Sequence, residues 1–282
     1  MFYHNLSPVA FRIGDLEIRY YGLAWVLTFF LTLFLFKKYK KVTKIQDEDE
    51  FIIVLLLFIV LFSKLLFFLN DILFGWRVID LNYILSHIFS GFSAIGGFIG
   101  TFFAFLFYKY VKKEKFSLPY TFSIFFMILM FGVAVGRIAN FLNKEFYGTP
   151  SNLPFCVVFF EGDYCRHPVQ LYESAYYFVI FIILLVLFKT KVLKHYEEGK
   201  YQYLLIDVGC GMYAIGRFFL EYFKSLPRLY FSLTINQIEL IIMLAIYVIV
   251  RNYNNLKKLI KKKTKTEITS GGEKSEKKRR KK

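Results

Sequence analysis

Apolar residues fall in blocks separated by short charged segments. The blocks run from Tyr20 to Phe36, Phe51 to Leu69, Ser93 to Tyr110, Tyr120 to Leu142, Pro168 to Phe188, Tyr203 to Tyr222 and Ile235 to Val250. A helix crossing a hydrocarbon core of about 30 Å needs about 20 predominantly apolar residues. Most of the blocks approach that length, the third and seventh being the shortest. The pattern therefore predicts an all-α integral membrane protein, a bundle of about seven transmembrane helices.

The segments between the blocks differ in charge. Residues 37–50, 109–118, 189–202 and 251–282 carry 27 of the 37 Lys and Arg, and the alternate segments carry seven. Cytoplasmic loops collect Lys and Arg, so the pattern places the N-terminus outside and the C-terminus in the cytoplasm. The predicted organisation is a transmembrane domain over residues 1–250, with a small extracytoplasmic head at about 143–167, and a basic cytoplasmic tail over 251–282. The tail is polar, low in complexity and self-repelling, and is expected to be disordered. Topological anchoring and contact with anionic lipid account for the net charge of +16, so no nucleic-acid partner is inferred. The first twenty residues lack a basic start followed by an apolar run, so the first span is expected to stay in the mature protein. The preceding segment, S-P-V-A-F-R-I-G-D-L-E-I-R-Y-Y-G, mixes apolar and polar residues and is expected along the outer interface.

Polar groups inside the apolar blocks mark the candidate chemistry. Gly136 to Gly148 read G-R-I-A-N-F-L-N-K-E-F-Y-G. An ionised group near hydrocarbon costs about 2.5 kcal/mol or more, so such groups face a bundle interior or a water-filled cavity. Helical spacing puts Arg137, Asn140 and Lys144 on one face with Asn143 beside them. Lys64 in the second span fits either a side chain reaching the outer interface or a pocket group. The third span opens G-F-S-A-I-G-G-F-I-G, where Gly96 and Gly100 permit close helix approach and the glycine-rich start offers N–H groups to a phosphate. In R-H-P-V-Q-L-Y-E-S, Pro168 suits a first helical turn, placing His167 near the N-cap and Gln170, Tyr172 and Glu173 within the helix. Arg217 and Glu221 stand four apart on the sixth span and can pair. With Arg137 in the outer half of its own helix, the two arginines suit an anionic phosphate ester.

Cys156 and Cys165 fall in the predicted outer loop, where oxidation is permitted, so a disulfide and two free thiols both stand. Cys210 reads as packing in an apolar helix. The four histidines lie in separate segments and no cysteine pair has metal-ligand spacing, so neither a metal nor another cofactor is inferred.

Together these motifs resemble the bacterial prolipoprotein diacylglyceryl transferases, from Pro8 to about Val250. The strongest element is G-R-I-A-N-F-L-N-K-E-F-Y-G, and I-R-Y-Y-G-L, H-P-V-Q-L-Y-E and G-R-F-F-L-E-Y-F follow the family order. The resemblance implies a multi-pass enzyme of the bacterial inner membrane. Its substrates would be phosphatidylglycerol and prolipoprotein signal peptides with a lipobox cysteine, with membrane lipid as its surroundings. It would move the diacylglyceryl group to the thiol and release glycerol phosphate. Arg137 and Arg217 would hold the phosphate and stabilise its developing charge. Asn140 and Glu145 would orient the headgroup, Glu221 would fix Arg217, and Tyr21 would line the site by hydrogen bonding. Asn143, Gly96, Gly97 and His167 complete the implied phosphatidylglycerol-binding set.

Two positions depart from the family pattern. Ile95 stands where a histidine is common, and Lys64 stands near an expected arginine. Isoleucine takes no proton, and lysine keeps the charge without the bidentate fork. A thiol of pKa about 8.5 is already slightly ionised at neutral pH and neighbouring cations depress it further, so arginine electrostatics can supply thiolate. His167 and Glu145 are alternative proton acceptors. A catalytically silent relative and a lipid or solute transporter are the competing readings, since intramembrane arginines and glycine-broken helices also suit transport.

Overall fold

The computed structural model describes residues 1–74, 80–87, 92–113, 115–226 and 232–253. The basic tail from residue 254 onward and Gly91 of the third-span segment lie outside these residues. In chain order the elements are β1 (Phe2–Tyr3), β2 (Val9–Ile13), β3 (Leu16–Arg19), α1 (Tyr20–Lys38), α2 (Lys40–Thr43), α3 (Glu48–Phe74) and α4 (Leu81–Ser86). Then come α5 (Ala94–Leu106), α6 (Leu118–Leu142), β4 (Val157–Val158), α7 (Val169–Leu187), α8 (Leu193–His195) and α9 (Leu204–Leu220). The last described helix, α10, is Ile235–Tyr253. Wider π turns continue α5 through Phe107–Val111 and α7 through Phe188–Val192.

Among the described residues, five helices are long and apolar enough to cross a membrane: α1, α3, α6, α7 with its extension to His195, and α10. The third predicted span is a shorter apolar helix, Ile95–Val111. The sixth is α9, whose 17 residues include Asp207 and Arg217. Compact packing divides the chain into two units, Met1–Met212 and Tyr213–Lys282.

Local chemistry explains the helix ends. Glu48, Asp49 and Glu50 open α3 and Lys37 and Lys38 close α1, each charge opposing the partial charge of its helix end. The Asp47 carboxylate accepts the Glu50 N–H at 2.9 Å, satisfying a first-turn donor. Pro119 enters α6 in its first turn, where no intrahelical N–H is needed.

Helix contacts in the first unit depend on small residues. A Cβ on Gly96 would lie 2.3 Å from the Phe62 carbonyl oxygen, and one on Gly100 would lie 2.3 Å from that of Phe58. Only hydrogen fits there, so α5 lies directly on the α3 backbone and the glycines serve packing. A Cβ on Gly132 of α6 would sit 2.9 Å from Thr28 Cγ2 of α1. Between α6 and α7, Phe131 stacks edge-on against Phe178, and Arg137 meets Glu173.

The region outside the spans is more ordered than the sequence suggested. β2 and β3 form an antiparallel hairpin with Phe11 opposite Ile18, Arg12 opposite Glu17 and Ile13 opposite Leu16. Gly14 takes a φ of +58° at its tip. The hairpin leads straight into α1. β1 pairs in parallel with β4, bringing Phe2 to Val157 and Tyr3 to Val158. A Cys156–Cys165 disulfide closes the head, and Arg166 grips Asp163 through two nitrogens at 2.8 Å. That guanidinium holds the Asp163 carboxyl below the usual carboxylate range.

Candidate active site

The site grows from the way α6 ends. The last helical residue is Leu142, and the backbone then enters the left-handed region at Lys144 (φ +58°) and Phe146 (φ +56°). Non-glycine residues hold that conformation at a cost of about 1–3 kcal/mol, so they persist where the surroundings fix them. Here the Lys144 N–H donates to the Phe141 carbonyl at 3.0 Å and the Glu145 N–H to the Asn140 carbonyl at 2.9 Å. The chain doubles back and returns Glu145 to its own helix.

The sequence placed Lys144 on the face of Arg137 and Asn140. That is corrected: helical spacing cannot be carried past Leu142, and the Lys144 Nζ lies 5.5 Å from the centre of the Phe160 ring.

The reversal assembles a continuous polar chain. Arg137 Nη1 donates to Asn140 Oδ1 at 3.2 Å, and Asn140 Nδ2 donates to Glu145 Oε2 at 2.8 Å. From α7, Gln170 Nε2 donates to the Glu145 backbone carbonyl at 2.5 Å. Arg137 Nε meets Glu173 Oε2 at 2.9 Å, the arginine side chain 19% exposed and the glutamate 0%. One planar guanidinium thus spans two partners on two helices, which a lysine ammonium cannot reproduce. Gln170 and Glu173, three apart and fully buried, are the residues the sequence undervalued. Their signal lay in H-P-V-Q-L-Y-E, where an amide and a carboxylate share one face of an apolar helix.

An apolar groove of about 180 Å³ lies between α1 and α6, lined by Tyr20, Leu23, Ala24 and Leu27 of α1 and by Val135, Ile138, Ala139 and Leu142 of α6, none of them a member of the network. On helical spacing that stripe of α6 faces away from Arg137 and Asn140, so the apolar groove and the polar chain occupy different faces of one helix end. Tyr21 is not among the lining residues and stands partly exposed.

The other expected residues are placed as follows. The His167 main chain donates to the Thr149 carbonyl and accepts from the Gly148 N–H, both at 3.0 Å, and its Nδ1 lies 3.3 Å from the Tyr172 hydroxyl. Asn143 caps α6 through its N–H to the Ala139 carbonyl. Gly96 and Gly97 face α3, where a Cβ on Gly97 would lie 3.2 Å from Ser63 Oγ. Ile95 is 58% exposed, so a side chain there does not contribute to the packed core. Lys64 donates to the His87 carbonyl and sits 4.1 Å over the Phe92 ring, tying α3 to the chain after α4.

In the second unit, Arg217 Nη2 lies 3.7 Å from Glu221 Oε2, and Lys224 Nζ lies 3.4 Å from the same oxygen. Asn236 Nδ2 donates to Glu221 Oε1. Two cations and an amide therefore converge on one carboxylate that is 1% exposed. The expected Arg217–Glu221 pair is present in this unit, with Lys224 as a member the sequence reading had left out. Among the described residues, no group of three His, Cys, Asp or Glu is arranged to hold a metal ion.

Comparison with known proteins gives these positions a context. The profile of the family described as prolipoprotein diacylglyceryl transferase matches residues 8–253. A phosphatidylglycerol–prolipoprotein diacylglyceryl transferase of Rickettsia felis is 31% identical over 234 residues, covering 80% of this chain and 86% of its own length. The enzyme of that name from Ehrlichia ruminantium is 30% identical over 237 residues, covering 78% and 84%. That from Agrobacterium fabrum is 30% identical over 236 residues, covering 78% and 80%.

Proposed function

Because the chain belongs to the prolipoprotein diacylglyceryl transferase family, we propose that it transfers the diacylglyceryl group of phosphatidylglycerol to a prolipoprotein lipobox cysteine. The carbon–oxygen bond to phosphate breaks as the sulfur–carbon bond forms. The phosphate leaves with the electron pair as glycerol phosphate, and the thiol proton passes to a base or to water. Such a displacement needs an oriented thiolate, cations on the leaving phosphate, and a route for lipid into the site.

The observation that carries the reading is the Arg137–Asn140–Glu145 chain at the end of an apolar helix, with Arg137 held against the buried Glu173. In this reading Arg137 and Arg217 take the phosphate. Asn140, Asn143 and Glu145 orient the headgroup, Glu173 and Glu221 hold the arginines, and Tyr21, Gly97 and His167 border the lipid, while Gly96 acts through the close α3–α5 contact. Ile95 takes no proton, so the arginine field supplies thiolate, with Glu145 or His167 receiving the proton. A dedicated base is worth about 10² to 10⁴ in rate, so the native chain turns over slowly by that measure.

The full topology belongs to this proposal: seven helices in the bacterial inner membrane, N-terminus outside, and a disordered tail inside. Charge counting and the head disulfide support the same orientation, since disulfides persist on the oxidising side.

The test is mass spectrometry of a lipobox-cysteine peptide incubated with purified protein and phosphatidylglycerol, alongside Arg137→Ala and Ile95→His. The expected result is a diacylglyceryl mass gain with the native protein, loss of it with Arg137→Ala, and faster gain with Ile95→His. Full turnover by Arg137→Ala would sink the arginine mechanism. No gain from a folded native sample would favour the silent relative, and movement of labelled lipid across a bilayer without transfer would favour a transporter.

A further inference from the structure

Far from the Arg137 network, α1 ends in a run of lysines around a bend. Tyr39 leaves helical geometry (φ −110°, ψ 25°) between α1 and the short α2, so Lys37 to Lys41 fan around the corner instead of winding along one helix. The corner and the α8 region border an open cavity of about 440 Å³ lined by Lys37, Lys38, Tyr39, Lys40, Lys41, Val42, Leu193 and Tyr196. That volume is within the range of about 300–1,000 Å³ of small-molecule sites.

The lysines are not equivalent. Lys37 meets Asp49 at 2.8 Å and Lys40 meets Glu48 at 3.0 Å, while the Tyr196 hydroxyl is spent on Glu197. Lys38 and Lys41 have no carboxylate partner among the described residues. Lys38 Nζ instead lies over the Phe34 and Tyr39 rings at 5.1 and 5.7 Å. Two ammonium groups with free N–H donors thus border a cavity with an apolar floor of Val42 and Leu193. Phe34, one turn earlier on α1, is exposed, so the cavity opens beside a hydrocarbon-facing helix surface.

Position distinguishes this cavity from the proposed active site. The α1–α6 groove, at the helix end that carries Asn140, touches α1 at Tyr20 and Leu23, and at about 1.5 Å per residue the Lys38 end lies roughly 25 Å further along the helix. That span is close to a full hydrocarbon core of about 30 Å. We propose that the Lys38–Lys41 cavity is a second lipid site, which holds the phosphate headgroup of an anionic glycerophospholipid from the leaflet opposite the reaction. Lys38 and Lys41 bind the phosphodiester, the Tyr39 ring and Val42 border the glycerol region, and the acyl chains lie along the outer face of α1. Basic pockets between helices at a membrane surface recognise anionic headgroups in this way. The site does not depend on the transfer reaction.

The experiment uses the full chain in phosphatidylcholine nanodiscs doped with phosphatidic acid, with retained lipid counted by native mass spectrometry. A Lys38→Gln/Lys41→Gln pair is compared with Lys189→Gln/Lys191→Gln, two exposed lysines near the same end that do not line the cavity. At about a fivefold contribution per lysine, retention should weaken by roughly 10- to 30-fold in the first pair and remain near native in the second. Equal losses in both pairs would replace the site with a diffuse field. Unchanged retention in the Lys38/Lys41 pair, or displacement of the lipid by millimolar inorganic phosphate, would also overturn the proposal, the latter in favour of a soluble phosphate ligand.

Discussion

At the end of α6, Arg137 and Glu173 meet at 2.9 Å with side-chain exposures of 19% and 0%; at the far end of α1, Lys37 and Asp49 meet at 2.8 Å with exposures of 56% and 60%. The distances are nearly equal and the energetics are not. An exposed pair is screened and contributes about 0–1 kcal/mol. A buried pair adds little net stability as a pair, but removing one partner strands the other charge and costs about 3–5 kcal/mol. One end therefore fixes positions, and the other supplies a screened positive field.

Glu173→Ala should show the contrast most sharply. It leaves the Arg137 guanidinium without its buried carboxylate, with an expected loss of about 3–5 kcal/mol in denaturant unfolding of the detergent-solubilised protein. A loss below about 1 kcal/mol would make this pair no different from the lysine end. Next is Cys156→Ser, which opens a bridge between residues nine apart and should cost about 2–3 kcal/mol, read as a lower thermal midpoint. An equal midpoint in reductant and oxidant would show that the head is held by its strands alone.

His4 sharpens the comparison through pH. Its side chain is 2% exposed, Nε2 donates to the Phe141 carbonyl at 2.9 Å, and Nδ1 has no hydrogen-bond partner. Burial pushes its pKa below the ordinary histidine value of 6.5. The unfolded chain then binds a proton before the native one, so stability declines as pH falls below 6.5 and levels off once pH passes the native value. Thermal midpoints measured from about pH 8 to about pH 5 should fall less for His4→Gln than for the native chain. Parallel curves would remove His4 as the cause. The smallest effect is expected for Lys37→Ala, a barely measurable drop in the thermal midpoint that shrinks further with added salt. A large, salt-independent drop would mean that the lysine end is pinned like the arginine end.

Much of this architecture could be read from local sequence. α1, α3, α6 and α7 are written as long apolar runs, and Arg137, Asn140 and Glu145 stand out as polar groups at the end of one of them. Where the reading stopped, the determining contacts were non-local or fell past an element's end. Nothing near Phe2 announces pairing with Val157, and His4 carries no local mark of its bond to Phe141. Lys144 was misplaced because a period of 3.6 was extended through a reversal fixed by two left-handed residues. The β2–β3 hairpin is legible afterwards in the alternation of Phe11, Ile13, Leu16 and Ile18 around Gly14, but five- and four-residue strands leave a short signal.

The β1–β4 pairing also sets a schedule. Phe2 is synthesised 155 positions before Val157, its partner. At about 5–20 residues per second, the first strand waits roughly 8–30 s for its partner to be made. During that interval four of the apolar helices, α1, α3, α5 and α6, have been synthesised, while the strand's N–H and C=O groups are exposed to any other extended chain nearby. The head is thus closed by a strand made long before its partner, and β1 is open to capture by other chains throughout that interval.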